Sequence, residues 1–159
     1  ETQIETLVML HKTFDIEISK INTVIENAVK LLAPPIASIK GISDVTAATI
    51  LSEFGDLSRF PGPSEMLSFA GMEPGIIQSG KSDHVGKMVK HGSSYLRYAL
   101  MNTAEMMVVH HPVMHAYYSK KRSEGKPHRV ALTHVAKKLV RIIYKLETER
   151  IVFNSSLLR

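Results

Sequence analysis

The feature that most constrains this chain is a heptad seam through its first 33 residues. Ile4, Leu7, His11, Phe14, Ile18, Ile21, Ile25, Ala28 and Leu32 follow one another at alternating steps of three and four, and only His11 among them is polar. So regular a repeat predicts one uninterrupted helix over residues 2–33. The seam is also narrow, which suits pairing with another helix better than lying on a globular core. We therefore expect a coiled coil and a homo-oligomer. Val8, Leu10 and Val24 widen the stripe and keep open the alternative of an amphipathic helix packed on its own domain. Pro34 and Pro35 end the helix in either case. The chain begins without methionine on an already helical pattern, as expected of a piece of something longer.

A second stretch, residues 75–97, reads GIIQSGKSDHVGKMVKHGSSYLR. Gly75, Gly80, Gly86 and Gly92 recur too often for a helix, and the segment is expected to be a glycine-rich basic loop. Its far end resembles a helix start, with Ser93 and Ser94 offering capping hydroxyls ahead of Leu96, Leu100, Thr103 and Met107. Lys90, His91 and Arg97 crowd that start, where the helix dipole and four unpaired N–H groups normally favour acids. An anion resolves the conflict. Backbone N–H groups at glycine turns and helix starts, with lysines and arginines around them, are the parts of a phosphate site. The same inversion recurs at 125–134, GKPHRVALTH, where Gly125 stops one helix, Pro127 takes the first position of the next, and Lys126, His128 and Arg129 replace the expected acids. Solvated surface cations are the plain alternative.

Charge is divided along the chain. Residues 1–78 carry five basic side chains against ten acidic, and residues 79–145 carry thirteen against three, a positive excess of ten. The second part should face a polyanion, with nucleic acid as the commonest candidate. Cysteine is absent, so neither disulfides nor thiolate metal sites arise. No apolar run approaches a membrane span, and the N-terminus lacks a signal-peptide pattern. A soluble protein without membrane partners is expected.

Residues 35–57 read as two short helices around a turn at Lys40–Ser43. Gly41, Ile42, Ala47 and Ile50 resemble the helix-hairpin-helix module, with Ser43 in place of its second glycine and Lys40 in place of its usual proline. Such a unit either contacts DNA phosphate or serves only as packing. A turn at Arg59–Pro63, a short helix at 64–71 and helices at about 94–109, 113–124 and 127–147 follow. The tail to Arg159 has no clear pattern and is expected to be disordered. The fold expected is mainly α: a coiled-coil helix over residues 1–33, then a compact multi-helix domain over 34–159 with a helix-hairpin-helix-like unit and the basic loop.

Ser79 lies between Gln78 and Gly80, where the backbone can approach a phosphodiester. A serine attacks phosphorus only if charge on the non-bridging oxygens is offset and its proton is taken up. Lys81, Lys87, Lys90 and Arg97 supply the charge and His84 a proton acceptor, yet a serine in such a loop is as readily a turn residue. His110, His111 and His115 form no complete ligand set, since Pro112 interrupts their helix and Glu105 is the only nearby carboxylate upstream. The tyrosines, Tyr95 and Tyr98 included, read as half-buried core, and Met101, Met106, Met107 and Met114 as core filler.

Taken in order, TAATILSEFGDLSRFPGPSEMLSFAGMEPG, QSGK, GKMVKHGSSYLRYAL and HHPVMHAYYSKKRSEGKPHRVALTHVAKKLVRIIY resemble the C-terminal domain of insertion-sequence transposases of the IS-one-ten group, related to the Piv-type DNA invertases. The resemblance covers roughly residues 36–147. It implies a DNA recombinase guided by a structured bridging RNA. An N-terminal RuvC-like domain would hold a DEDD set of acids and a divalent metal, Mg, and the preceding helix would be the family's coiled coil. It also implies that the C-terminal domain supplies a serine nucleophile, which maps to Ser79 with Gly80 beside it. Expected partners are DNA, a guide RNA and further copies of the chain; Gly80, Lys81, Lys87, Lys90, Arg97, Lys126 and Arg129 are the expected nucleic-acid contacts. A bacterial, cytoplasmic setting is implied as well. No cofactor is expected in this segment, which alone should bind nucleic acid without recombining it. The alternative is a non-catalytic helix-hairpin-helix DNA-binding module dimerised through its first helix.

Overall fold

The computed structural model describes residues 2–79 and 82–157, with backbone alone for 74–79, 82–87 and 157. The described chain is mainly helical. Helix α1, Thr2–Leu32, is unbroken as the heptads predict, and at 1.5 Å per residue it is about 46 Å long. It ends where Ala33 turns left-handed ahead of Pro34. Its last turns rest on the body through buried Val29, while Ile4, Phe14 and Ile21 are 68%, 62% and 58% exposed. The seam therefore lies open along most of the helix.

After α1 comes a four-residue 3-10 turn, Pro35–Ser38, then α2, Asp44–Phe54. The first of the two short helices expected here is only this turn, because the adjacent prolines offer no N–H groups from which a longer helix could be built. Ser43 caps α2 as expected, its hydroxyl accepting from the Thr46 N–H at 3.2 Å. A second 3-10 turn, Leu57–Arg59, leads to α3, Pro63–Phe69. Arg59 braces this corner: its guanidinium stacks on Phe60 and Phe69 at 4.7 and 4.6 Å and donates to the Phe54 carbonyl at 2.7 Å.

The largest departure from expectation is the glycine-rich segment, which is a β-ribbon rather than a loop. Strands β1, Pro74–Ser79, and β2, Ser82–Met88, pair antiparallel, with Ile76 opposite Val85 and Ser79 opposite Ser82. The register shifts between Pro74 and Ile76, at Gly75. Glycines that forbid a helix do not forbid a ribbon, where one of them accommodates the irregularity. Gly80 and Lys81, which join the strands, lie outside the described residues.

Both ends of the ribbon are fastened to the body by backbone. A Cβ added to Gly92 would sit 2.0 Å from the Phe69 carbonyl oxygen, and one added to left-handed Gly71 would sit 2.7 Å from the His91 nitrogen. The two glycines allow main chain to lie against main chain. Val89 N–H donates to Glu73 O and Lys90 N–H to Gly71 O, both at 3.0 Å, completing the join.

Three helices finish the body: α4, Ser94–His110; α5, Pro112–Ser123; and α6, His128–Glu149. Their bounds follow the sequence expectation closely, except that Pro127 precedes the first helical residue of α6 instead of being it. Helix α6 is the hub, touching α3, α4, α5 and both 3-10 turns. Leu139 and Ile143 from α6 meet Leu96, Leu100 and Met107 from α4, Met114 from α5, and Ile36, Ile50, Phe54 and Met66, all fully buried. At about 1.5–3 kcal/mol for each large apolar side chain, this cluster is the main source of stability. The tail also departs from expectation. Ile151 N–H donates to Leu146 O past a left-handed Arg150, Phe153 N–H donates to the Ser38 hydroxyl at 2.8 Å, and Ser155–Leu157 forms a 3-10 turn.

Candidate nucleic-acid interface

Helix α4 starts as its sequence predicts: the Ser93 hydroxyl accepts from the Leu96 N–H at 3.3 Å. Just before it, Lys90 adopts a left-handed backbone, φ 57°, a conformation that costs a non-glycine residue about 1–2 kcal/mol. Across from this start stands the start of α6, where no acid occupies the first turn. Between the two starts and the root of the ribbon opens a cleft of about 590 Å³ whose walls include Lys90, Arg97, Tyr98, Glu105, His128 and Arg129. Three cations from two helix starts thus share one concavity, and the inverted charge noted in the sequence becomes a geometric fact.

The three are not equivalent. Lys90 and Arg129 are exposed. Arg97 is half-buried and has structural work: its Nη1 donates to the carbonyls of Gly92 and of Ala70, the latter at 3.3 Å. It pins the end of α3 to the start of α4, so only its remaining N–H groups are available to a ligand. His128 Nδ1 lies 2.7 Å from the Tyr118 hydroxyl, which fixes the imidazole at the cleft wall.

Beyond the cleft the positive field continues along α5 and α6. Burial, and then the charges of Lys121, Lys126 and Lys137, hold the His134 imidazole below its ordinary pKa, against a weaker opposing pull from Glu124. Burial lowers the Lys137 ammonium too, with Arg141 adding to the effect, while Glu73 at the foot of β1 opposes it. The three lysines that add to the effect of burial on His134 come from α5, from the link to α6 and from α6 itself, and so form one neighbouring group. Lys126 belongs to this neighbouring group rather than to the cleft wall.

Ser79 stands apart. It occupies the last position of β1, five residues beyond Pro74, and at a rise of about 3.3 Å per residue this sets its backbone roughly 15 Å from the ribbon root. The cleft lies at that root, through Met88. Among the expected site residues the structure gathers Lys90, Arg97 and Arg129, places Lys126 nearby, and carries Ser79 away on the ribbon. Gly80 and Lys81 lie outside the described residues, as does the side chain of Lys87.

At the turn expected to be of the helix-hairpin-helix type, Lys40, Gly41 and Ser43 are exposed, and one N–H is already engaged. Ile42 N–H donates to the Ile39 carbonyl at 3.1 Å, and the His110 ring stands on the Cβ side of Gly41, where an added Cβ would lie 2.7 Å from its Cδ2. His111 is buried and its Nε2 donates to the Lys40 carbonyl at 3.0 Å, so it braces the turn from behind. Among the described residues no group of three or more His, Asp or Glu is placed to hold a metal ion, and no helix is long and apolar enough to cross a membrane.

The expectation of half-buried core fails for two tyrosines. Tyr95 and Tyr98, on the first turns of α4, are 74% and 70% exposed. Tyr117, Tyr118 and Tyr144 do pack against the core. Met107 and Met114 are core as expected, Met101 is partly buried, and Met106 is exposed. The phase of α4 explains the tyrosines. Leu96, Ala99, Leu100, Thr103 and Met107 form its buried face, which turns residues 95 and 98 to the opposite side.

Part of the chain is similar in sequence to known proteins. Residues 33–119 match the model of the IS116/IS110/IS902 transposase family. The chain is 30% identical over 115 residues to the 43.6 kDa protein of insertion element IS110 from Streptomyces coelicolor, a match covering 72% of this chain and 28% of that protein. It is 26% identical over 118 residues to the 44.8 kDa protein of insertion element IS116 from Streptomyces clavuligerus, covering 74% and 30%. It is also 29% identical over 111 residues to the pilin gene-inverting protein of Moraxella bovis, covering 69% and 34%. The matched stretch is thus about a third or less of each of these relatives.

Proposed function

We propose, for a chain that belongs to the IS116/IS110/IS902 family of transposases, that it is the nucleic-acid-binding and serine-bearing part of a DNA recombinase. The observation that carries this reading is the convergence of Lys90, Arg97 and Arg129 on one cleft at the root of the ribbon that bears Ser79. A phosphate backbone entering the cleft meets cations from two helix starts, and the neighbouring lysines of α5 and α6 extend its track. The ribbon then acts as a finger that presents Ser79 to a strand held partly by this body and partly by other elements of the recombinase. Attack by the serine hydroxyl on a phosphodiester would give a phosphoserine link and release a deoxyribose hydroxyl.

In this reading the divalent metal belongs to acids of an N-terminal domain outside this sequence, a structured guide RNA shares the cationic surface with DNA, and α1 pairs copies of the protein through its open seam. The pilin gene-inverting relative accords with inversion or transposition as the reaction class.

The test separates binding from chemistry. Lys90→Ala with Arg129→Ala should weaken binding of DNA by this chain and flatten its log–log salt slope by about two, one unit for each phosphate no longer neutralised. Ser79→Ala in the full-length recombinase should abolish strand transfer and leave that slope unchanged. An unaltered slope in the double variant removes the cleft from the interface; strand transfer surviving in Ser79→Ala removes the serine from the chemistry.

A further inference from the structure

We propose that Tyr95 and Tyr98 form a stacking ledge for unpaired bases, positioned so that a strand whose phosphates lie in the cationic cleft rests its bases on the two rings. The inference builds on the nucleic-acid reading above and specifies the form of its ligand. Both rings are largely in water, at 74% and 70% exposure, in a chain only 6% aromatic. They are one helical turn apart on the same side of α4, where Cβ atoms three positions apart lie about 5–6 Å from each other. Among the described residues neither the rings nor their hydroxyls have a partner, whereas Tyr118 lies against His128 and the Tyr144 hydroxyl donates to the Pro61 carbonyl at 3.1 Å.

The surroundings select the ligand. Tyr98 itself walls the cleft that holds Lys90, Arg97 and Arg129. Exposed aromatic faces beside a cationic track are the combination by which proteins hold single strands: the cations follow the phosphates and each ring takes a base face. A docking protein helix fits less well. The residues that follow on this face, Asn102 and Glu105, are polar and exposed, so the apolar surface stops after one turn and would leave the cations of the cleft unpaired. An intact duplex fits less well too, since its base faces are stacked on one another. The ligand is therefore a strand with its bases free, as in an opened DNA site or an RNA loop.

The decisive measurement compares binding of this chain to a single-stranded oligonucleotide, to the same strand with abasic positions and to the corresponding duplex, across a salt series. Three proteins are measured: wild type, Tyr95→Leu with Tyr98→Leu, and Tyr95→Phe with Tyr98→Phe. The wild type should favour the base-bearing strand over the abasic one, by about tenfold for each ring engaged. The leucine pair should lose that preference, the phenylalanine pair should keep it, and all three should share one salt slope. If the leucine pair binds the base-bearing strand as tightly as wild type, or weakens equally on base-bearing and abasic strands, the ledge is refuted while the cationic cleft stands. If the wild type shows no salt-dependent affinity for any of these ligands, the nucleic-acid reading falls and the ledge falls with it.

Discussion

The Glu147 carboxylate, near the end of α6, accepts a hydrogen bond from the Ile36 N–H at 2.7 Å and so closes the start of the first 3-10 turn across 111 residues of sequence. Its side chain is only 5% exposed, and Arg150 stands 3.7 Å away. Burial raises the Glu147 pKa above 4.5, and the Ile36 hydrogen bond and the Arg150 charge only partly oppose the rise. Folding therefore favours the protonated acid. The resulting contribution to stability is full below pH 4.5 and is lost as pH climbs through the raised folded value. Glu147→Gln keeps an acceptor for Ile36 and should remove this pH dependence, matching or exceeding wild-type stability at pH 7. Glu147→Ala strands a buried N–H and should cost about 1–3 kcal/mol. Urea melts of the three proteins at pH 4.5 and pH 7 check both outcomes.

Gly92 and Gly125 make a controlled pair. A methyl at Gly92 meets the Phe69 carbonyl at 2.0 Å, whereas a methyl at left-handed Gly125 meets nothing within 4 Å. Gly92→Ala has to drive apart two segments of main chain and should destabilise by about 3 kcal/mol. Gly125→Ala carries only the backbone penalty of a positive φ, about 1 kcal/mol. Thermal melts giving equal losses would show that the fastening at Gly92 is looser than its geometry.

The open seam of α1 gives a prediction about assembly. Phe14 and Ile18 are 62% and 54% exposed and one turn apart. Phe14→Glu with Ile18→Glu should abolish self-association in sedimentation while moving the body's unfolding by no more than about 0.5 kcal/mol, the usual range for surface substitutions. Self-association that survives the double change would place the oligomer contact elsewhere.

Legibility in the sequence follows the strength of local signals. The heptads of α1, the Ser93 cap and the left-handed Gly125 are written in a few neighbouring residues each, and their elements emerge where expected. The ribbon is hidden from any reading that weighs its glycines as breakers. The better signal lies in β-branched Ile76, Ile77 and Val85 flanking a short polar stretch, with two residues between the strand ends. Residue type alone sends Tyr95 and Tyr98 to the core, although the periodicity of Leu96, Leu100, Thr103 and Met107 already turns them outward. The tail lacks any repeat, since what holds it is the remote Ser38 hydroxyl. The meeting of Lys90 with Arg129 depends on how α4 packs against α6, which no short window of sequence encodes.

The glycine fastening carries a consequence for how such proteins diversify. Because Gly71 and Gly92 touch through bare main chain, the polypeptide leaves and re-enters the scaffold by a single doorway. The entropic cost of lengthening what hangs from that doorway is small, since each doubling of such an excursion adds only about 0.6 kcal/mol of closure entropy. The helical body is in this sense a chassis, and the β-ribbon an attachment mounted on it.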